Sequence, residues 1–192
     1  MKHTLAEFYA DNCAPNFPLE QRIQLFNNIL RKNCADKAGG HSYDLVYAAL
    51  FNNLNAVQHV GELGIYHGAS LRAWRELFPN AGIVGFDRDP NYFVFEERIR
   101  SFYIDQASLP SLMIEPGVTF DLFVDDASHI FEYSLSCYER LKRLVRCFYV
   151  IEDIQQADVP RWDALNIDNS WMIEMGHLRP TLTDNNMLVI RM

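Results

Sequence analysis

Residues 124–130 read Val-Asp-Asp-Ala-Ser-His-Ile, so two carboxylates end an apolar run and a histidine follows three residues after the second. Further along, the run CFYVI ends in Glu152 and Asp153. If the two runs are neighbouring parallel strands, Asp126, Glu152 and Asp153 meet in a cluster of negative charge that requires compensation. A set of oxygen donors of this kind suits magnesium or another hard divalent cation. His129, one helical turn past Asp126, would face the same pocket, and imidazole is the side chain suited to take a hydroxyl proton near neutral pH. Metal and base together would activate an alcohol.

Such residues must be carried on elements that bring them together, and the periodicity supplies them. From residue 57 onward short apolar runs alternate with amphipathic stretches: HVGELGI then ASLRAWRELF, GIVGF then NYFVFEERIRSF, YIDQ, TFDLFVDD then FEYSLSCYERLKRLV, and CFYVIED. Runs this short and rich in Val, Ile and Phe, separated by helix-length segments, are expected of buried parallel strands with crossover helices. The expected architecture is an α/β doubly wound, mostly parallel seven-stranded sheet. SWMIEMGHL and NMLVIRM, joined by RPTLTDN, are expected to add a C-terminal antiparallel hairpin at one edge. Residues 18–33 and 43–54 show helical spacing, with Gly39 and Gly40 between them. The expected organisation is an N-terminal helical cap or lid over residues 1–55 and a ligand-binding domain over 56–192.

In an open sheet of this type the ligand lies over the carboxyl ends of the strands. The first such end, ELGIYHGAS, places Glu62, Gly64, Tyr66, Gly68 and Ser70 in a strand-to-helix turn where glycines admit a ligand to the backbone. The dinucleotide fingerprint GxGxxG is missing, and the carboxylate beside the loop would repel a pyrophosphate while suiting a sulfonium. That favours S-adenosylmethionine over NAD. Asp87, 25 positions beyond Glu62, stands where an acidic side chain accepts from ribose hydroxyls, and Asp105 with Gln106 at the next strand end could flank the adenine. Asp125 completes the expected cofactor contacts.

ELGIYHGASLRAW, GFDRDP, DQASL, FDLFVDDASHIFEYSLSCYERL and YVIEDIQ together resemble the class I S-adenosylmethionine-dependent methyltransferases. Within them, the resemblance is to the group containing the macrocin and mycinamicin sugar O-methyltransferases and the cephalosporin-hydroxylase-like proteins. It covers roughly residues 57–156. It implies methyl transfer to a hydroxyl of a small molecule, with Asp126, Glu152 and Asp153 holding magnesium and His129 as base. Ala127 stands where that group has Gly, and Cys147-Phe148 where it has Gly-Gly. Two other readings stay open: a nucleotide-dependent enzyme on the same sheet, and a noncatalytic member that binds cofactor or a partner.

Composition bounds the remaining classes. The 192 residues, 49% of them hydrophobic, suffice for one well-filled core. A formal charge of −8 without a Lys/Arg cluster argues against a nucleic-acid partner, whose binding needs a basic surface. The sequence shows neither a membrane span nor the apolar middle of a signal peptide, so no membrane partner and a cytoplasmic location are expected. Cys13, Cys34, Cys137 and Cys147 are widely spaced and read as reduced thiols. A homo-oligomer is compatible with everything above. His41, His59, His67 and His177 read as structural or exposed, Trp74 and Phe78 as core, and Asp89-Pro90 as a helix start.

Overall fold

The computed structural model describes residues 2–14, 16–108 and 118–192; Leu109, the last residue of DQASL, lies outside them. Five parallel strands form the body of one sheet: β2 (His59–Leu63), β3 (Gly82–Asp87), β4 (Ile99–Tyr103), β5 (Phe120–Asp125) and β6 (Val145–Ile151). The antiparallel pair β7 (Ser170–Glu174) and β8 (Asn186–Arg191) extends it, with β8 against β6, and the two-residue β1 (Lys2–His3) adds a parallel edge to β7. Among the described residues the order is β1-β7-β8-β6-β5-β2-β3-β4. The chain runs outward from β2 to β4, then returns to place β5 on the other side of β2. That reversal makes the carboxyl ends of β2 and β5 the switch point of the sheet.

Helices cover both faces. α1 (Leu5–Asn12), α2 (Leu19–Lys32), α3 (Asp36–Gly39), α4 (Asp44–Leu50) and α5 (Ala69–Leu77) lie on one side; α6 (Phe131–Leu141) and α7 (Val159–Ala164) lie on the other. The strands alternate between these two cores. On β6, Phe148 and Val150 join Phe26, Leu30 and Trp74, while Tyr149 and Ile151 join Phe131, Tyr138 and Trp162. α1 carries a reciprocal cap that its TLAE sequence spells out: Glu7 N–H donates to Thr4 Oγ1 at 3.2 Å, and Thr4 N–H donates to Glu7 Oε2 at 2.7 Å.

The segment NYFVFEERIRSF departs from its amphipathic, helix-like pattern. It forms a single 3-10 turn at Pro90–Tyr92, an extended stretch to Glu96, and a tight turn at residues 97–98, closed by paired Glu96–Ile99 backbone bonds, that leads into β4. Ser101 explains the extended path, because its hydroxyl bonds both the N–H and the C=O of Val94 and leaves neither for a helix. Arg98, at φ 61°, donates to the carbonyls of Arg75, Phe78 and Ala81, closing the end of α5. Asp89 caps the 3-10 turn with Pro90 behind it, as its sequence implies. Among the described residues, no helix is long and apolar enough to cross a membrane.

Candidate active site

The carboxyl ends of β2, β3 and β5 enclose two adjoining cavities. The first, about 330 Å³, is lined by Leu63, Phe86, Ile104, Asp105 and Gln106 with Ser128 and Tyr133. The second, about 420 Å³, is lined by Ser70, Tyr66, Tyr92, Asp126, His129 and Asp153. Gly64, Asp87 and Ala127 border both, which makes one groove of them. Gly64 is required at the junction: its φ is +89°, and a Cβ there would lie 2.0 Å from the Asp126 carbonyl oxygen. The β2 and β5 loops therefore touch backbone to backbone. Asp87 fixes the first loop by accepting from the N–H groups of Ile65 at 2.9 Å and Tyr66 at 3.4 Å.

The sequence-expected cofactor residues divide. Gly64, Tyr66, Ser70, Asp87, Asp105 and Gln106 line the groove. Glu62, Gly68 and Asp125 are outside both linings. Glu62 is fully buried and accepts from Trp74 Nε1–H at 2.7 Å. Gly68 starts α5 in the left-handed region at φ +72°. Asp125 is buried and accepts from Gln106 Nε2 at 2.7 Å, while Gln106 Oε1 accepts from Ser128 N–H at 3.1 Å. Burial pushes the Asp125 carboxyl up to about 7, against the opposing hydrogen bonds of Ser134 and Gln106.

The acidic residues converge. Donor atoms of Asp126, His129 and Asp153 lie within 4.8 Å of one another, and His129 Nε2 is 3.8 Å from Asp153 Oδ2. Backbone strain concentrates here: of the seven described non-glycine residues with positive φ, Cys34, Tyr66, His129 and Asp153 line the second cavity. Ala127 is not among them, so the alanine in place of glycine adopts an ordinary conformation. Glu152 sits deeper. It lines a void of only about 10 Å³ and not the larger cavities, and both of its oxygens are taken, Oε1 by Tyr47 O–H at 2.5 Å and Oε2 by Lys37 Nζ.

Lys37 was absent from the sequence-expected site. Its side chain, 1% exposed, enters from α3 and bonds Asp126 Oδ2 at 2.7 Å as well as Glu152, with Glu62 Oε1 at 3.2 Å. Burial disfavours the ammonium, but the Asp126, Glu152 and Glu62 charges outweigh it and hold its pKa well above the ordinary value. Burial in turn raises Glu62 and, much further, Glu152, with Lys37 opposing both. Burial together with the Asp126 charge raises Asp153. Tyr43 also comes from the N-terminal helices; its O–H donates to Asp153 Oδ1 at 2.6 Å. His41, read from sequence as structural or exposed, stacks on Tyr43 at 4.8 Å with Nδ1 3.5 Å from Asp153 Oδ1. The available signal was His41, Tyr43 and Tyr47 spaced along one short segment beside a lone lysine.

No family model matches the chain. Over 97 residues it is 35% identical to 8-demethyl-8-(2-methoxy-alpha-L-rhamnosyl)-tetracenomycin-C 3'-O-methyltransferase of Streptomyces olivaceus, covering 48% of this chain and 25% of that protein. Over 126 residues it is 33% identical to mycinamicin VI 2''-O-methyltransferase of Micromonospora griseorubida, covering 62% and 32%. The solved structure of MycE, a methyltransferase from the mycinamycin biosynthetic pathway in complex with Mg and SAH, superposes with a TM-score of 0.63 at 30% identity, covering 71% of this chain and 39% of that one. The chain thus spans about a quarter to two fifths of the length of these relatives. It has the fold of the class I S-adenosylmethionine-dependent methyltransferases and is a relative of the macrocin and mycinamicin O-methyltransferases.

Proposed function

We propose that this chain transfers a methyl group from S-adenosylmethionine to a hydroxyl of a small-molecule acceptor such as a sugar or natural product. The observation that carries this is the groove at the switch point, whose two cavities share Gly64, Asp87 and Ala127 and whose second cavity holds His129 beside Asp153. Donor-holding residues would be Gly64, Tyr66, Ser70, Asp87, Asp105 and Gln106, and the first cavity, walled by Leu63, Phe86 and Ile104, suits a flat nucleobase. When bound, the donor supplies an electrophilic methyl carbon on a sulfonium. The acidic lining of the second cavity favours that positive charge.

His129 takes the proton of the acceptor hydroxyl in this scheme, and the Asp153 carboxylate, 3.8 Å from Nε2, stabilises the resulting imidazolium by its charge. Tyr43 holds Asp153 in place from the other side, with His41 stacked on the Tyr43 ring. Cavity size and lining suit a polar small molecule, and positioning would supply most of the acceleration. The set Asp126, Glu152 and Asp153 does not fit a divalent ion, because Glu152 is buried against Lys37 and Tyr47 and does not reach the cavity that Asp126 and Asp153 line.

Calorimetry with S-adenosylmethionine and NAD side by side, followed by assay of S-adenosylhomocysteine formation with a panel of sugars and polyols, tests the reading. Saturable binding of the first alone, with acceptor-dependent product, is expected. Preference for NAD, or failure to turn over any hydroxyl acceptor, would overturn it.

A further inference from the structure

The geometry points to Lys37 as the resident cation of the acidic cluster: its ammonium, rather than a divalent metal, is the partner of Glu152. Three observations carry this. An ammonium has three donors and no acceptor, and Nζ faces carboxylate oxygens of Glu62, Asp126 and Glu152, so its surroundings are acidic on every strand end it meets. The far oxygens of two of these carboxylates also have partners, Glu152 Oε1 the Tyr47 hydroxyl and Glu62 Oε2 the Trp74 indole, so each Glu152 oxygen already accepts a hydrogen bond. Finally, access runs the wrong way for an ion. Glu152 is 2% exposed and is absent from the lining of the large cavity, which Asp126, at 21% side-chain exposure, does reach.

Like-charge repulsion from Lys37 confines any divalent ion to the outer donors Asp126, His129 and Asp153, away from Glu152. Coordination there would use the imidazole assigned above as the base, so the two roles exclude each other. The inference depends on the positions of side chains and holds whether or not the chain turns over a hydroxyl acceptor.

Manganese binding, followed by electron paramagnetic resonance and calorimetry on the whole chain with manganese chloride as probe, decides the matter without an activity assay. In the parent protein either no saturable binding, or binding whose affinity is unchanged by Glu152→Gln, is expected. Lys37→Gln should gain affinity by about tenfold or more, and the gain should vanish in the Lys37→Gln/Glu152→Gln double variant. If Lys37→Gln fails to fold, comparison of the parent with Glu152→Gln still decides. A loss of about tenfold or more in manganese affinity on Glu152→Gln in the parent background would place Glu152 in a metal site and overturn the inference.

Discussion

At the scale of single residues, the site separates groups that face the groove from groups that hold them. His129 faces it, 34% exposed at the side chain, and its proton-accepting role predicts that His129→Ala abolishes methyl transfer while leaving donor affinity within about twofold, as calorimetry beside the turnover assay would measure. Full-rate transfer by that variant would remove the assignment. Asp125 is a holding group, and its raised pKa makes a stability prediction. The folded carboxyl titrates near 7 against an ordinary 3.8, so between those values the folded chain keeps a proton that the unfolded chain has released. The Asp125 contribution to stability therefore falls as pH rises from about 4 to about 7, then levels off, by an amount on the order of a few kcal/mol. Asp125→Asn, which keeps an oxygen for the Gln106 amide, should reduce the fall in stability between pH about 5 and about 8 in urea titrations.

Among the elements, the β2 loop and the small helix α3 matter most. Gly64→Ala would force a side chain into the left-handed region and against the Asp126 carbonyl, pushing the β2 and β5 loops apart. The expected cost is about 1–3 kcal/mol from the backbone alone, with loss of donor binding. Gly39→Ala on α3 is the contrasting case. Nothing lies within 4 Å of the added methyl, so thermal melting should move by no more than about 0.5 kcal/mol equivalent, although Lys37 is two residues away. The non-helical course of residues 93–103, where the pattern suggested a helix, shows what local spacing misses. Phe95, Ile99 and Phe102 fall at the i, i+4, i+7 spacing of a helix, yet Ser101 claims the backbone of Val94 and β4 gains the parallel ladder with β3.

For the molecule as a whole, the N-terminal helices and the sheet share one core. Phe26 and Leu30 of α2 and Tyr47 of α4 are fully buried with Trp74 and the strand residues Val60 and Val124. Phe26→Ala should thus cost about 3–5 kcal/mol and lower a single melting transition seen identically by circular dichroism and tryptophan fluorescence; two separated transitions would show the helices to be an independent unit. Except around β4, which forms at Ile99–Tyr103 where a helix was expected before a strand at YIDQ, the sequence by itself determined the alternation of strands and crossovers, the antiparallel C-terminal pair and the residues at the strand ends, because period-2 and period-3.6 patterns and small-residue turns are local properties. It also brought Asp126, His129 and Asp153 to one place, since adjacent parallel strands end side by side. Only the tertiary structure decided which carboxylates reach the groove. Glu62 and Glu152 look like Asp126 in sequence, but an ammonium from α3, a phenol from α4 and an indole from α5 bury and occupy them. Those partners are up to 115 positions distant along the chain, and nothing in strand periodicity specifies which side chain of a distant helix will meet a buried charge.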